Sequence, residues 1–434
     1  MAGKFRAYRF VALFLAIIGV ALAFEFLPPT ATMQSPFMGA ATTLQLPGAL
    51  PQTETNLSSV GTMLGVTPQR THAFNTRGVN ASPTSVLWRS SKLFSLKSAV
   101  YEMVEDGPFR FEIPLPTYYN YTTPILAGGA IYMSVYNGDG YIVALNASDG
   151  KLRNRYKNAG TSISAITVAD GTIYVGGSNG LFYAFDLNTE QDRWQVRDNY
   201  SFDIASPVVA SGIVYFSGAR DKAMYVGSNV EGIIYAVDAL TGKEIWKLKV
   251  KGYPTAAALD NGTVCFGDGD DHLYALDSRS GKEKWRLDAG SNISQPAIMN
   301  GSVFFRDSGG SLFAVDLNTG KLRWKTRKVE AGTLLAIDKS SIYLGGRYDS
   351  LYAIDAASGE QKWRFKTNKR CATPVLTEGM VYFGCLDKML YATDAATGQE
   401  KWRYKNEQPI VISPIISDGT IYFLDGAAFL HAIR

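Results

Sequence analysis

The sequence predicts an all-β fold, a closed ring of eight four-stranded antiparallel units, and three observations carry that reading. One phrase recurs along the chain, as IIYAVDALTGKEIW, HLYALDSRSGKEKW, SLFAVDLNTGKLRW, SLYAIDAASGEQKW and MLYATDAATGQEKW. Its aspartates, Asp238, Asp277, Asp316, Asp355 and Asp394, stand 39 residues apart, and each is followed eight residues later by a tryptophan. Within each copy, apolar residues alternate or run together between turn-forming Gly, Asp and Asn, as buried and half-buried strands require. A fixed period of about 40 residues with that alternation marks stacked or radial β units. The last unit runs FLHAIR and stops at Arg434, one strand short, while the missing strand's tryptophan stands far upstream, as Trp88 in SVLWRSSK.

The elements follow in chain order. Residues 1–27 open with Lys4, Arg6 and Arg9 and continue into the apolar run FVALFLAIIGVALAF. Such a run makes about 22 Å of helix, short of a hydrocarbon core of roughly 30 Å. Ala21-Leu22-Ala23 offers the small residues a signal peptidase prefers. The chain is therefore expected to be exported, periplasmic or extracellular, its first segment either a cleaved signal or a retained membrane anchor. Residues 28–82, rich in Thr, Ser, Pro, Gln and Ala, read as a polar flexible linker. Residues 83–434 hold the repeat, with units starting near Pro124, Ala165, Pro207, Thr255, Pro296, Leu334, Pro374 and Pro414.

Residues 372–404 show the unit plainly. An inner strand at 373–377 turns at Glu378-Gly379 into a second at 381–385, followed by a third at 389–394 and an outer one at 401–404. The aspartate ending the third strand precedes Ala-Ala-Thr-Gly, where its carboxylate caps turn amides and the glycine takes the left-handed conformation. The row of aspartates is thus turn chemistry rather than a set of catalytic acids. The tryptophans Trp88, Trp194, Trp246, Trp285, Trp324, Trp363 and Trp402 are read as docking each unit on its neighbour. Burying about 200 Å² of ring at about 25 cal/mol per Å² gives roughly 5 kcal/mol gross apiece. Two copies are looser: LFYAFDLNTEQDRW carries Glu190 in the glycine position, and YIVALNASDGKLRN ends at Asn154 with no tryptophan. A chain that ends one strand short and begins with that strand closes a ring, which protects its sheet edges. An open solenoid would need polar capping repeats, and none is visible. The architecture is an eight-bladed β-propeller closed by its N-terminal strand.

The repeat resembles the pyrroloquinoline-quinone (PQQ) type β-propeller family. Its signature of SPxVxxGxVYFG before LYALDAxTGxxxW is matched by SPVVASGIVYFSG, TPVLTEGMVYFGC and SPIISDGTIYFLD, over about residues 83 to 434. That family includes PQQ-dependent alcohol and sugar dehydrogenases, sensor domains, and non-enzymatic propellers such as the outer-membrane assembly factor BamB. In character the chain is closest to the BamB-like propellers, although no cysteine follows the apolar run to carry a lipid. The family's dehydrogenases place a vicinal Cys-Cys pair over the quinone and a tryptophan beneath it. Here no cysteines are adjacent, and every tryptophan is committed to the repeat.

Of the three cysteines, Cys371 begins one inner strand and Cys385 ends the strand that hairpins back from it. Folding about Glu378 sets them opposite one another, so a cross-strand disulfide is expected in an oxidising compartment. Cys265 stands in a slot that other repeats fill with Tyr or Phe, as a small buried residue. Lys plus Arg exceed Asp plus Glu by only four, too mild a balance to suggest nucleic acid. His72, His272 and His431 form no metal-ligand spacing. Asp268, Asp270 and Asp271 in FGDGDDHLYAL lack the glycine and terminal glutamate of a calcium loop. No catalytic, metal or cofactor-binding residue is assigned, and no cofactor is expected.

Departures from the repeat point to a binding face. In a four-stranded blade, the second-to-third loops and the outer-to-inner connectors emerge together. The connector after Trp88 carries Tyr118, Tyr119 and Tyr121, and the third blade's insertion GARDKAMYVGSNVEG carries Arg220, Lys222 and Tyr225. Other connectors place Asp203, Glu330, Arg370 and Glu407 on the same side. Aromatic and arginine side chains are the types enriched at binding hot spots. The expected function is a non-catalytic extracytoplasmic scaffold, a monomer that binds a protein or peptide partner and touches membrane only through an uncleaved N-terminus. The alternative is a PQQ-dependent alcohol or sugar dehydrogenase.

Overall fold

The computed structural model describes residues 73–74, 81, 83, 85–90, 122–136, 140–157, 164–189, 191–202, 205–221, 230–326, 329, 332–346 and 348–434. The N-terminal apolar run and nearly all of the linker segment lie outside the described residues.

Eight antiparallel sheets form the ring, each ordered inner, second, third and outer strand. Blade 1 begins at Ile125–Ala127, blade 2 at Thr167–Ala169 and blade 3 at Val208–Ala210. Blades 4 to 6 begin at Ala258–Asp260, Ala297–Met299 and Ala336–Ile337. Blade 7 comprises Val375–Thr377, Met380–Gly384, Met389–Asp394 and Glu400–Lys405, within two residues of the bounds read from the sequence. Blade 8 takes Ile415–Ser417, Thr420–Leu424 and Leu430–Ile433 from the end of the chain and Val86–Arg89 from its beginning. Trp88 pairs with Ala432, and Ser85 and Arg434 exchange backbone hydrogen bonds of 3.2 and 3.1 Å, which fasten the ring.

Sequence chemistry accounts for the blade. Seven of the eight inner hairpins turn on two left-handed residues, as Asn261-Gly262 (φ 46° and 67°) and Glu378-Gly379 (φ 47° and 74°) do. That geometry matches the twist of the flanking strands. At the other end, Asp394 Oδ1 accepts the amides of Ala396 and Thr397 (3.1 and 2.9 Å) and the Thr397 hydroxyl (2.8 Å). Its second oxygen stands 3.5 Å from Lys401. The Thr397 hydroxyl, the turn amide and Lys401 hold this carboxyl below the ordinary range.

Six seams set a tryptophan of one blade on the third-to-outer turn of the next, an aspartate turn except in blade 1, where Asn146 stands in its place. Trp363 in blade 6 donates its indole N–H to Ala395 O of blade 7 at 3.0 Å. A Cβ on Gly398 would fall 2.5 Å from that ring, so the turn admits only glycine there. Trp88, Trp194, Trp246, Trp285 and Trp324 make the same bond to Ala147, Ala239, Ser278, Leu317 and Ala356. Opposite each tryptophan on the third strand is an alanine, such as Ala353 facing Trp363, whose small side chain leaves room for the indole.

Cys371 and Cys385 meet in an isolated antiparallel bridge with Cα atoms 3.9 Å apart and are disulfide-bonded. Cys265 is free and fully buried, and that burial pushes its thiol far up. One strand lies inside the segment read as linker. Ala73–Phe74 pairs in parallel with the inner strand of blade 7, Ala73 beside Leu376 and Phe74 beside Thr377, giving that blade a fifth strand.

Candidate functional site on the connector face

The aspartate turns occupy one face of the ring, and the second-to-third turns with the blade connectors occupy the other. On this connector face blade 3 differs from its neighbours. Its second and third strands, Ile213–Asp221 and Val230–Asp238, run nine residues each, against five and six in blade 4. Four extra residues at about 3.3 Å each raise the hairpin roughly 13 Å above the neighbouring rim. The insertion read as a loop thus begins as continued strand, and its tip at 222–229 lies outside the described residues.

The raised hairpin carries a charged wall. Arg220 and Glu231 are cross-strand partners, and the guanidinium donates to Glu231 Oε1 at 2.8 Å. The Tyr200 hydroxyl, arriving from the connector after blade 2, donates to the same carboxylate oxygen, and Lys249 Nζ stands 3.5 Å from it. Arg220 also lies over the Tyr200 ring, 4.8 Å from its centroid. Beside this group the Tyr235 hydroxyl donates to Asp198. Burial and the neighbouring Glu231 carboxylate push the Tyr200 hydroxyl up to about 12, so it stays a donor at any physiological pH.

Hollows flank the wall on both sides. Between blades 2 and 3 a cavity of about 420 Å³ is lined by Asn179, Asp198, Tyr200 and Arg220 among others. Between blades 3 and 4 a groove of about 400 Å³ is lined by Glu231, Lys249, Lys251, Asp268, His272 and Arg286 among others. Asp268 is buried there and accepts the amides of Asp270 and His272, both at 2.9 Å, with His272 Nδ1 3.4 Å from its second oxygen. Through those two bonds Asp268 folds the turn. Fixed donors and acceptors of both signs, spaced along two shallow hollows, suit the amides and charged side chains of a peptide.

The residues singled out from sequence do not all meet. Arg220 stands in the wall. Arg370 is exposed on the connector into blade 7. Glu407 is exposed on the connector into blade 8, 3.7 Å from Arg89, which itself stacks on Phe429. These two sit across the ring from blade 3 and do not join Arg220. Tyr118, Tyr119, Tyr121, Asp203, Lys222, Tyr225 and Glu330 lie outside the described residues. Sequence reasoning missed Glu231, Tyr200, Asp198 and Tyr235. The one usable signal was hairpin register, which sets Glu231 opposite Arg220.

The indoles and the disulfide are engaged in the frame of the blades. Six of the seven indole N–H groups are given to backbone carbonyls of neighbouring blades, and the seventh, Trp402, is buried. The one disulfide joins residues 14 apart. Among the described residues, no group of three or more His, Cys, Asp or Glu could hold a metal ion.

Comparison with known proteins places the chain between two functional groups. A family model described as "Outer membrane protein assembly factor BamB" matches residues 77–229, 230–336 and 325–434. Outer membrane protein assembly factor BamB of Moranella endobia is 28% identical over 165 residues, 35% of this chain and 39% of that protein. Quinohemoprotein alcohol dehydrogenase ADH-IIG of Pseudomonas putida is 30% identical over 142 residues, 29% of this chain and 19% of that protein. The chain therefore spans well under two thirds of either relative. The structure of ADHIIG aligns over 85% of this chain and 78% of its own with TM-score 0.62 and 14% identity. BamB of Moraxella catarrhalis aligns over 72% and 93% with TM-score 0.54 and 17% identity. At those identities the structures share the fold.

Proposed function

Because the chain belongs to the PQQ-type β-propeller family, whose fold serves BamB-like factors and quinoprotein dehydrogenases alike, we propose that it is an extracytoplasmic scaffold. In this reading it binds a protein or peptide partner on the connector face. The observation that carries this is the Arg220–Glu231–Tyr200–Lys249 wall, raised above the rim with a hollow on each side. An arginine held by both a carboxylate and an aromatic ring is preorganised, so little side-chain entropy is lost when a partner binds. Similarity to BamB supports both the extracytoplasmic setting and a protein partner.

The test is binding of the full-length protein to an array of extended peptides of mixed charge, compared with Arg220→Ala and Glu231→Ala. Each variant should lose at least tenfold in affinity for the best peptides while unfolding at a similar temperature. Unchanged affinity in both would remove the wall from the binding site.

A second reading, a PQQ-dependent dehydrogenase of alcohols or sugars, is favoured by the greater share of the chain that aligns with the quinohemoprotein enzyme, 85% against 72% for BamB. Reconstitution with PQQ and calcium, followed by dye reduction over alcohols and aldoses, decides between them. Stoichiometric PQQ uptake with substrate-dependent reduction would replace the scaffold reading.

A further inference from the structure

The inner strand of a propeller blade is a sheet edge facing the axis, with backbone groups that have no partner within the blade. In blade 7, Thr377 and Met380 flank the two-residue turn and Val375 pairs with Tyr382. Antiparallel alternation then turns the N–H and C=O of Leu376, between them, toward the axis. Leu376 is the residue beside which Ala73 lies in parallel register. Blades 4 and 5 present Leu259 and Ile298 in the same position, yet those sheets have four strands and blade 7 has five.

Chain direction agrees with this placement. Inner strands run from the connector face to the turn face, so a parallel strand leaves Phe74 on the turn face. The outer strand of blade 8 starts on that face, at Val86. The residues between Phe74 and Val86 can reach at most roughly 40 Å when extended. Crossing a blade from inner to outer edge takes three strand spacings of about 4.8 Å, or roughly 14 Å. One stretch of chain can therefore both line the channel and close the ring.

We propose that the axis-side edge of blade 7, centred on Leu376, is a β-addition site for extended peptide, occupied in the free protein by its own residues 73–74. The ligand class is a peptide in extended conformation, recognised through its backbone, as in other strand-addition sites. The tethered strand acts at an effective concentration on the order of millimolar, so a partner peptide must displace it. The channel edge becomes available only to a ligand that outcompetes the cis strand. None of this depends on the Arg220 wall, which lies on the rim in another blade.

The experiment uses the full-length chain, with A73P/F74P to remove two backbone donors from the fifth strand alone and T62P as a control. In the unaltered protein, the Leu376 amide should exchange with deuterium at least tenfold more slowly than those of Leu259 and Ile298. A73P/F74P should bring it level with them, leaving the unfolding temperature close to that of T62P. A fluorescent synthetic peptide spanning residues 69–79 should then bind A73P/F74P at least tenfold more tightly than the unaltered protein. Equal exchange at the three amides before any substitution would overturn the cis strand. Equal or undetectable peptide binding to both proteins would overturn the addition site. Arg220→Ala should change neither readout, which separates failure here from failure of the rim.

Discussion

The seam between blades 6 and 7 and the seam between blades 1 and 2 are built from the same repeat and filled differently. In the first, Trp363 is buried on the blade 7 turn, bonded to Ala395 O and stacked against a turn that only Gly398 fits. In the second, the position facing Ala144 is Asn154, whose side-chain oxygen accepts the Arg155 amide at 2.7 Å. The following blade carries Glu190 where the other turns have glycine. Indole and glycine are therefore one device: where the ring is missing, the pressure for a bare turn is missing too. Tyr156, two residues along the same strand, packs against the core shared by blades 1, 2 and 8.

The largest effect should come from breaking a filled seam. Trp363→Ala removes a buried indole and leaves a cavity, and the propeller should lose about 3–5 kcal/mol in denaturant unfolding. Trp88→Ala should lose a similar amount, because its ring lies on the blade 1 turn and closes the circle. Asn154→Ala should stay within about 0.5 kcal/mol of the parent. A Trp88→Ala loss as small as that would mean the ring is not fastened there.

Rebuilding the empty seam sharpens the comparison. Asn154→Trp alone places an indole against a turn that has a side chain, and Glu190→Gly alone relaxes a turn with nothing to receive. The double variant should be more stable than the sum of the two by about 1–3 kcal/mol, the coupling expected of residues in contact. An additive cycle would show that the two departures from the repeat are unrelated.

A smaller, local difference should appear in hydrogen exchange. The outer strand of blade 1, Leu152–Lys157, buries no tryptophan and should open more readily than Glu400–Lys405 in blade 7, where Trp402 is buried. Equal protection would credit Tyr156 with the whole of the missing contact.

The smallest effect concerns acid. Asp316 is held down to about 2, first by the Arg323 guanidinium and then by the Thr319 hydroxyl, from 3.8. A depressed carboxyl contributes its stability above the unfolded value, and that contribution is lost as pH falls from about 4 through about 2. Blade 1 has Asn146 at this position, which does not titrate. Asp316→Asn should therefore unfold more easily than the parent at pH 7, with the difference shrinking as pH falls from about 4 through about 2. A gap independent of pH would assign the loss to something other than the charge.

Local chemistry made the repeat legible. Period, turn residues and strand alternation are short-range properties, and the 39-residue spacing let each blade be read from the others. Ring closure was legible too, since a strand missing at Arg434 and a spare one at Trp88 can be counted without coordinates. The site was not. Arg220 stood out because it departs from the repeat, but Glu231, Tyr200 and Lys249 come from three separate stretches, and only blade-on-blade packing converges them on one carboxylate.

The sequence by itself determined the turns and the tryptophan of each filled seam, because these are set within one repeat or its neighbour, and the number of blades and the closing strand, because copies of a regular repeat can be counted. Only the tertiary structure decided which rim residues meet. It showed Arg370 and Glu407 on separate connectors across the ring from Arg220, and it set residues 73–74 against the axis-side edge of blade 7. Those outcomes depend on long-range packing and on an open backbone edge, and a backbone edge recognises an extended chain with little regard to its side chains.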